Sequence, residues 1–179
     1  DAFIGLGGNF LRAVPEQKAM EDAWPGMRMT VQIATKLNRG HLFNGEVAYL
    51  LPCLGRSEMD HLTGKPQVVT MEDSLSCVHG SVGKRTPASE HLKSEIEIVS
   101  RIAEAVLPQN PKMPWGQWAR DTAMVRDLIE KTYPDEFRDF NARLFTPGGF
   151  YRGNPARERQ WKTESGKAEF VTPEMLSAT

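Results

Sequence analysis

Hydrophobic residues in the first half of the chain fall in short uninterrupted runs that are separated by glycine, proline and polar turns. Runs of this length that do not alternate with polar residues are typical of strands in a parallel sheet covered on both faces. They predict an α/β layer over residues 1 to about 80. The predicted strands cover residues 2–6, 29–34 and 47–51, with a fourth, shorter strand over 68–71.

Helical spacing of apolar residues takes over further along the chain. A first helix, predicted between the first two strands, begins at Pro15 and Glu16. Ser94 and Glu97 have the spacing of a capping box, which predicts the start of a longer helix that Pro108 ends. Two further amphipathic helices are indicated by Met124, Val125, Leu128 and Ile129, and by Phe137, Phe140 and Leu144.

The predicted organisation is a single α/β domain over residues 1–165, with the sheet core over about 1–80 and a helical part over about 90–145. Residues 166–179 predict a strand that leads toward a following domain absent from this chain. The chain begins at Asp1 and enters the first predicted strand at once, so we expect it to be cut from something larger. A processed mature protein would look the same.

Composition narrows the functional classes. The net charge of −1 over 179 residues gives no general electrostatic case for nucleic acid or an anionic membrane. Neither a secretory signal pattern nor an apolar stretch of about 20 residues occurs, which predicts a cytoplasmic protein without membrane insertion. Cys53 and Cys77 are far apart and lack nearby ligand partners, so this chain alone builds no zinc or iron–sulfur site. Two reduced thiols are favoured, and a disulfide between them stays open.

Two polar turns follow the first two predicted strands. Gly7, Gly8 and Asn9 follow the first, where glycine lets the backbone approach a phosphate closely. The full dinucleotide-binding pattern is not met, because Phe10 stands at the place of its third glycine. A tight structural turn and a nucleotide contact therefore both stay open. The second strand is followed by Thr35, Lys36 and Asn38. Their position suits ligand recognition, and a solvated loop is the alternative that stays open.

Acidic residues and one histidine form the remaining candidates. Paired carboxylates serve as acid–base catalysts or accept hydrogen bonds from a guanine or pterin edge, but most are helix caps or surface charge. His79 precedes Gly80, which allows close approach of a ligand, and is either a general base or a structural histidine. No triad and no metal-ligand cluster is recognisable, so no catalytic residue or metal ligand is predicted. The two acidic pairs are Glu58 with Asp60, and Glu72 with Asp73.

An ordered set of segments spanning nearly the whole chain resembles the alpha subunits of molybdopterin oxidoreductases, in their formate-dehydrogenase-like branch. Each motif alone is a weak signal of the family, and the resemblance rests on their occurrence in the same order along the chain. From the first half they are FIGLGGNF, ATKLNRGHLFNGEVAYLLPCLGRSEMD and VVTMEDSLSCVHGSVG. From the second half they are LKSEIEIVSRIAEAVL, DFNARLFTPGGF, NPARER and SGKAEF.

The resemblance implies a Rossmann-like parallel sheet layer with flanking helices and a helical extension, in a domain of the formate dehydrogenase/DMSO reductase type. The whole protein would hold molybdenum or tungsten on two molybdopterin guanine dinucleotides. The metal's cysteine or selenocysteine ligand, and usually a 4Fe–4S cluster, would come from earlier parts of the chain. Its partners would be the remaining domains and a small-molecule substrate. No cofactor is expected on the isolated chain.

The resemblance also assigns positions around one dinucleotide. Many family members carry an aspartate directly after the second strand, whereas this chain reads Gln32 to Thr35 and then Asn38, so it departs from the family at the guanine contacts. Gly7, Gly8 and Asn9 would lie near phosphate or pterin, and Thr35, Lys36 and Asn38 near the guanosine. The loops bordering the same ligand would contain Glu58, Asp60, Glu72 and Asp73.

Three hypotheses follow. The first is a cofactor-cradling fragment of a molybdenum or tungsten oxidoreductase, without turnover of its own. The second is a stand-alone nucleotide-binding or protein-interaction module without redox activity. The third is a hydrolase that uses His79 and a nearby acid.

Overall fold

A parallel three-stranded sheet forms the first part of the molecule. The computed structural model describes residues 1–170 and 172. The strands are β1 (Ala2–Leu6), β2 (Met29–Ala34) and β3 (Val47–Pro52), adjacent in that order and all parallel. The three predicted strands are therefore confirmed, with β3 one residue longer.

Short helices connect β1 to β2 on one face of the sheet. They are α1 (Phe10–Ala13), α2 (Gln17–Ala23) and a 3₁₀ turn over Trp24–Gly26. The helix predicted to begin at Pro15 and Glu16 is confirmed as α2, whereas α1 was not predicted. Phe3 of β1 packs against Trp24 with ring centroids 4.7 Å apart, and Trp24 is buried. Another 3₁₀ turn, Arg39–Leu42, lies between β2 and β3.

A second, antiparallel sheet follows, with β4 (Val68–Glu72), β5 (Cys77–Val82) and β6 (Phe150–Tyr151) in that order. Our expectation that residues 68–71 continue the parallel sheet was wrong. The connection from β4 to β5 is a short turn, whereas a parallel crossover needs a dozen or more residues. The region of about 1–80 thus contains strands of two different sheets.

The longest helix, α3 (Glu95–Val106), covers the opposite face of the parallel sheet. Its Ile98 packs against Val31, Ile33 and Cys53 in a buried cluster. The Ser94 hydroxyl accepts a hydrogen bond from the Glu97 backbone at 3.3 Å, as the predicted cap requires. The return bond of the capping box is replaced, since the Glu97 carboxylate accepts from the Arg101 guanidinium at 2.8 Å.

The helical part packs beside the second sheet. Its helices are α4 (Trp115–Arg120), α5 (Thr122–Thr132), α6 (Pro134–Phe137) and α7 (Phe140–Arg143). The last two were predicted as one helix, which breaks where Asp139 takes a left-handed conformation with φ +53°. A second buried cluster joins the sheet to α7 through Val78, Phe140, Leu144 and Phe150.

The end of the chain is only partly described. Residues 163–166 form a turn, and no strand occurs within 166–170. Residues 171 and 173–179 of the predicted lead-in strand lie outside the described residues. Among the helices of the described residues, none has the length and apolar character to cross a membrane.

Candidate functional site

The turns after β1 and β2 meet at one edge of the parallel sheet. Because the strands run parallel and in register, their carboxyl ends point the same way. Gly7 donates from its backbone N–H to the carbonyl oxygen of Ile33 at 2.8 Å, which carries the pairing one residue beyond β1. Two groups of predicted residues are thereby brought together, Gly7, Gly8 and Asn9 with Thr35, Lys36 and Asn38.

Asn38 links the two turns directly. Its side-chain amide donates to the carbonyl oxygen of Gly8 at 2.9 Å, and its side-chain oxygen accepts from the Gly40 backbone at 2.8 Å. Its own backbone N–H donates to Nδ1 of His41 at 3.2 Å. The side chain is thus engaged within the protein, and the geometry gives Asn38 a positioning role. A direct contact of Asn38 with guanosine stays a prediction.

The glycine turn is open on its outer side. Gly7 and Gly8 have φ of +66° and +70°, a region that costs other residues about 1–2 kcal/mol. A Cβ atom built on Gly8 would meet nothing within 4 Å. Among the described residues, neither the Gly8 N–H nor the Asn9 N–H has a protein acceptor. Backbone N–H groups without a protein acceptor, beside an open glycine, suit an anionic oxygen.

Polar atoms beside this turn are also unsatisfied within the described residues. The side-chain oxygen of Asn9 is buried and has no hydrogen-bond partner there. A Cβ atom on Gly40 would lie 3.0 Å from this oxygen, so the oxygen faces the turn after β2. Thr35 and Lys36 are exposed. They supply a hydroxyl and a cation at the end of β2.

A cavity of ≈ 350 Å³ lies at the end of β3, beside the first turn of α3. Glu58, Asp60, Glu95 and Arg126 are among the residues that line it. A Cβ on Gly7 would lie 3.6 Å from a carboxylate oxygen of Glu95, so this residue connects the glycine turn with the cavity. Glu95 was not predicted as a site residue. The signal that was available is an acid in the first turn of a well-capped helix.

The Glu58 and Asp60 carboxylates are partly used by the surrounding loops. Glu58 accepts from the backbone N–H of Gly55 at 2.7 Å and of Ala88 at 2.8 Å, which lowers its pKa. Asp60 is buried and accepts from the backbone of Leu62 at 3.0 Å. Both acids border the cavity, and any contact with a ligand stays a prediction.

Glu72 and Asp73 lie in the second sheet, at the end of β4. Glu72 forms an ion pair with Arg152 at 2.9 Å. Asp73 accepts from the backbone of Leu75 and Cys77, both at 2.9 Å, and its second oxygen lies 3.0 Å from Nε2 of His79. These contacts account for both acids as supports of the β4–β5 turn. Their predicted place beside the dinucleotide stays a prediction.

The hydrolase hypothesis gains an acid for His79 but no nucleophile. Asp73 supplies the carboxylate that orients the ring. In the described part of the chain, no serine, threonine or cysteine side chain is hydrogen-bonded to His79. A histidine that serves as general base requires such a neighbour in a covalent mechanism.

Within residues 1–170 and 172, no group of three histidine, cysteine, aspartate or glutamate residues is placed to hold a metal ion. Cys53 and Cys77 are free thiols. Burial, together with the nearby Glu95 and Glu58 carboxylates, raises the pKa of Cys53 to about 11. A thiol of this kind stays protonated and is a poor metal ligand.

The chain is similar to segments of much longer proteins. It is 45% identical over 175 residues to the protein YdeP of Escherichia coli strain K12, covering 98% of this chain and 23% of that protein. It is 40% identical over 170 residues to a Mycobacterium tuberculosis protein (strain H37Rv) named as an uncharacterized oxidoreductase, covering 94% and 22% respectively. No protein-family model matches the chain. The chain thus spans less than a quarter of the length of these curated relatives.

Proposed function

We propose that this chain is part of a larger oxidoreductase that depends on molybdenum or tungsten, and that it cradles one pterin–guanine dinucleotide of the cofactor. The observation that carries the proposal is the turn at Gly7 and Gly8. It combines left-handed backbone, unpaired N–H groups and open space at the carboxyl end of a parallel strand. Similarity to a protein named as an oxidoreductase supports the reaction class.

The residues at this edge match the parts of a dinucleotide. The N–H groups of Gly8 and Asn9 and the cation of Lys36 suit phosphate oxygens. Glu95 and the neighbouring cavity extend the same surface with further acceptors.

The bound cofactor would supply two-electron transfer to or from a small substrate at its metal. The resemblance to formate dehydrogenases makes formate the first substrate to assay, with a 4Fe–4S cluster carried elsewhere in the whole protein. The residues of this chain bind and orient. Asn38 holds the two turns in register, and the glycines keep the approach to the backbone open.

The test measures cofactor content in the longer protein, produced in a host that makes the molybdenum cofactor. Metal analysis and release of guanine nucleotide on acid denaturation are compared for the wild type and the Gly8→Ala variant. Gly64→Ala is the matched control, because Gly64 has φ +72° and equally open surroundings. We expect several-fold lower cofactor content for Gly8→Ala only.

Three outcomes contradict the proposal. If the wild-type protein contains neither metal nor guanine nucleotide, the proposed function is wrong. Equal cofactor content in both glycine variants removes the role of this turn. Guanine nucleotide without metal favours the alternative function, a nucleotide-binding module without redox activity.

A further inference from the structure

We propose that another β-strand of the longer protein pairs in parallel with the free edge of β1. We further propose that the helix connected to this strand lies over Ile4 and Leu6. The inference rests on the part of the proposed function that places this chain in a longer protein, and it is independent of the cofactor. The relatives contain enough further chain for such a strand and helix, because 77–78% of their length lies outside the segment matched here (100% minus 23% or 22%).

One face of the parallel sheet is covered incompletely. Paired residues of parallel strands point their side chains to the same side, so Ile4 and Tyr49 share the face of Val31. The helix α3 buries Val31 and Ile33 in the middle of that face. Ile4, Leu6, Val47 and Tyr49 on the same face stay 50%, 53%, 47% and 53% exposed. All-parallel sheets are otherwise found covered on both faces.

The edge of β1 also has unpaired backbone groups. Successive residues of a strand turn their N–H groups to opposite sides. The Asp1 carbonyl accepts from Met29 and the Gly7 N–H donates to Ile33, so the odd-numbered residues of this segment face β2. The N–H groups of Ile4 and Leu6 therefore face the free edge. Such an edge is a template for another strand.

The handedness of crossovers selects the face on which the new helix must lie. The β1–β2 crossover passes over the Phe3 side of the sheet, where Phe3 packs against Trp24. Parallel crossovers are right-handed in about 98% of cases. Because β1 itself continues into β2, a strand on its free side is reached by a crossover that returns from β3, and a right-handed return in that direction must use the opposite face. That is the face on which Ile4 and Leu6 are exposed.

A second copy of this chain does not meet these requirements. A two-fold symmetric dimer through the β1 edge would pair the two strands antiparallel. A head-to-tail arrangement would keep the strands parallel but would continue into a filament. A strand–helix unit of the longer protein pairs the edge and covers the apolar face together.

The new strand would also define a ligand crevice. The β1–β2 crossover and the crossover that returns from β3 to the new strand would then run in opposite directions across the sheet, with the reversal beside β1. Ligands of open α/β sheets bind at such a switch point, beyond the carboxyl ends of the strands. The turn at Gly7 and Gly8 lies there, so the pairing deepens the proposed function by locating the crevice.

Hydrogen exchange at the β1 edge tests the pairing. Amide exchange of Ile4 and Leu6 is measured in this chain alone and in the longer protein. We expect exchange at least ~100-fold slower in the longer protein, because an added strand turns both N–H groups into ladder donors. Equal rates in the two proteins overturn the proposal. Slow exchange in the chain alone that depends on its concentration also overturns it, in favour of a second copy.

A matched pair of substitutions tests the helix. Leu6→Glu should lower the melting temperature of the longer protein but leave that of the chain alone unchanged. Leu75→Glu is the control, since Leu75 is 56% exposed in the β4–β5 turn and is expected to be harmless in both. An unchanged melting temperature of the longer protein with the Leu6→Glu substitution contradicts the proposal. Slow exchange in a longer protein without metal or guanine nucleotide removes the proposed function and keeps this pairing.

Discussion

The side-chain amide of Asn38 donates a hydrogen bond to the carbonyl oxygen of Gly8 at 2.9 Å, tying the turn after β2 to the turn after β1. The same side chain accepts from Gly40, so one residue organises both loops of the candidate site. The two loops belong to adjacent parallel strands, and this bond joins them beyond the end of the sheet. The shape of the glycine turn therefore depends on Asn38.

Replacing Asn38 by aspartate isolates this tether. Aspartate still accepts from Gly40 but has no donor for the Gly8 carbonyl. We expect a loss of about 1–2 kcal/mol in the free energy of unfolding, measured by urea denaturation. Asn44→Asp is the control, since Asn44 is exposed in the following loop. Equal stability of the Asn38→Asp variant and the wild type contradicts the tether.

Arg126 has a corresponding role in the second half of the molecule. It is only 6% exposed and donates to the Val68 carbonyl at 2.9 Å, to Thr122 at 3.2 Å and to Asn141 at 2.6 Å. Arg126→Met leaves these acceptors in a buried site, so we expect a loss of more than about 2 kcal/mol in unfolding free energy. The exposed Arg120→Met should change it by less than about 0.5 kcal/mol. Similar values for both variants contradict this role.

Asp73 makes the stability of the β4–β5 turn depend on pH. Its pKa is lowered by the backbone hydrogen bond from Cys77 and then by the hydrogen bond with His79. Because the folded pKa lies below the unfolded value of about 3.9, the stabilisation is complete above the unfolded pKa. It is lost as the pH falls through the folded pKa.

The measurement is the free energy of unfolding between about pH 5 and pH 2. Asp73→Asn keeps an oxygen acceptor for the turn but does not titrate, so its stability should fall less steeply than that of the wild type. The exposed Asp135→Asn should leave the wild-type slope unchanged. Parallel curves for Asp73→Asn and the wild type would show that the carboxylate does not contribute.

The parallel strands were predictable because each is a short segment rich in apolar residues that a glycine, proline or polar turn bounds, a pattern that is visible without reference to distant residues. The strand β5 was not, since its central residues are His79, Gly80 and Ser81. Gly80 donates to the Leu144 carbonyl at 2.8 Å, and a Cβ there would lie 3.2 Å from the side chain of Leu144. A partner so far along the chain leaves no local pattern.

The residues of the candidate site were likewise predictable where a local pattern marks them and not where a distant contact places them. Gly7 and Gly8 were predictable, because two glycines after an apolar run indicate a left-handed turn. The engagement of Asn38 with Gly8 was not, since the polar residues after β2 suit a ligand and a neighbouring loop equally well. Glu95 reaches the site only through the packing of α3 on β2, which no spacing in the sequence encodes.

The two cysteines should differ sharply in reactivity. Cys53 is 3% exposed, and burial raises its pKa to about 11, so it is a protonated and inaccessible thiol near neutral pH. Cys77 is partly exposed in β5. We expect an alkylating reagent at about pH 8 to modify one thiol per native chain and two after denaturation, with Cys77→Ser abolishing the native reaction. Rapid alkylation of the native Cys77→Ser variant would show instead that the end of β3 opens to solvent, and that the core formed by Cys53, Val31 and α3 is not a fixed wall of the site.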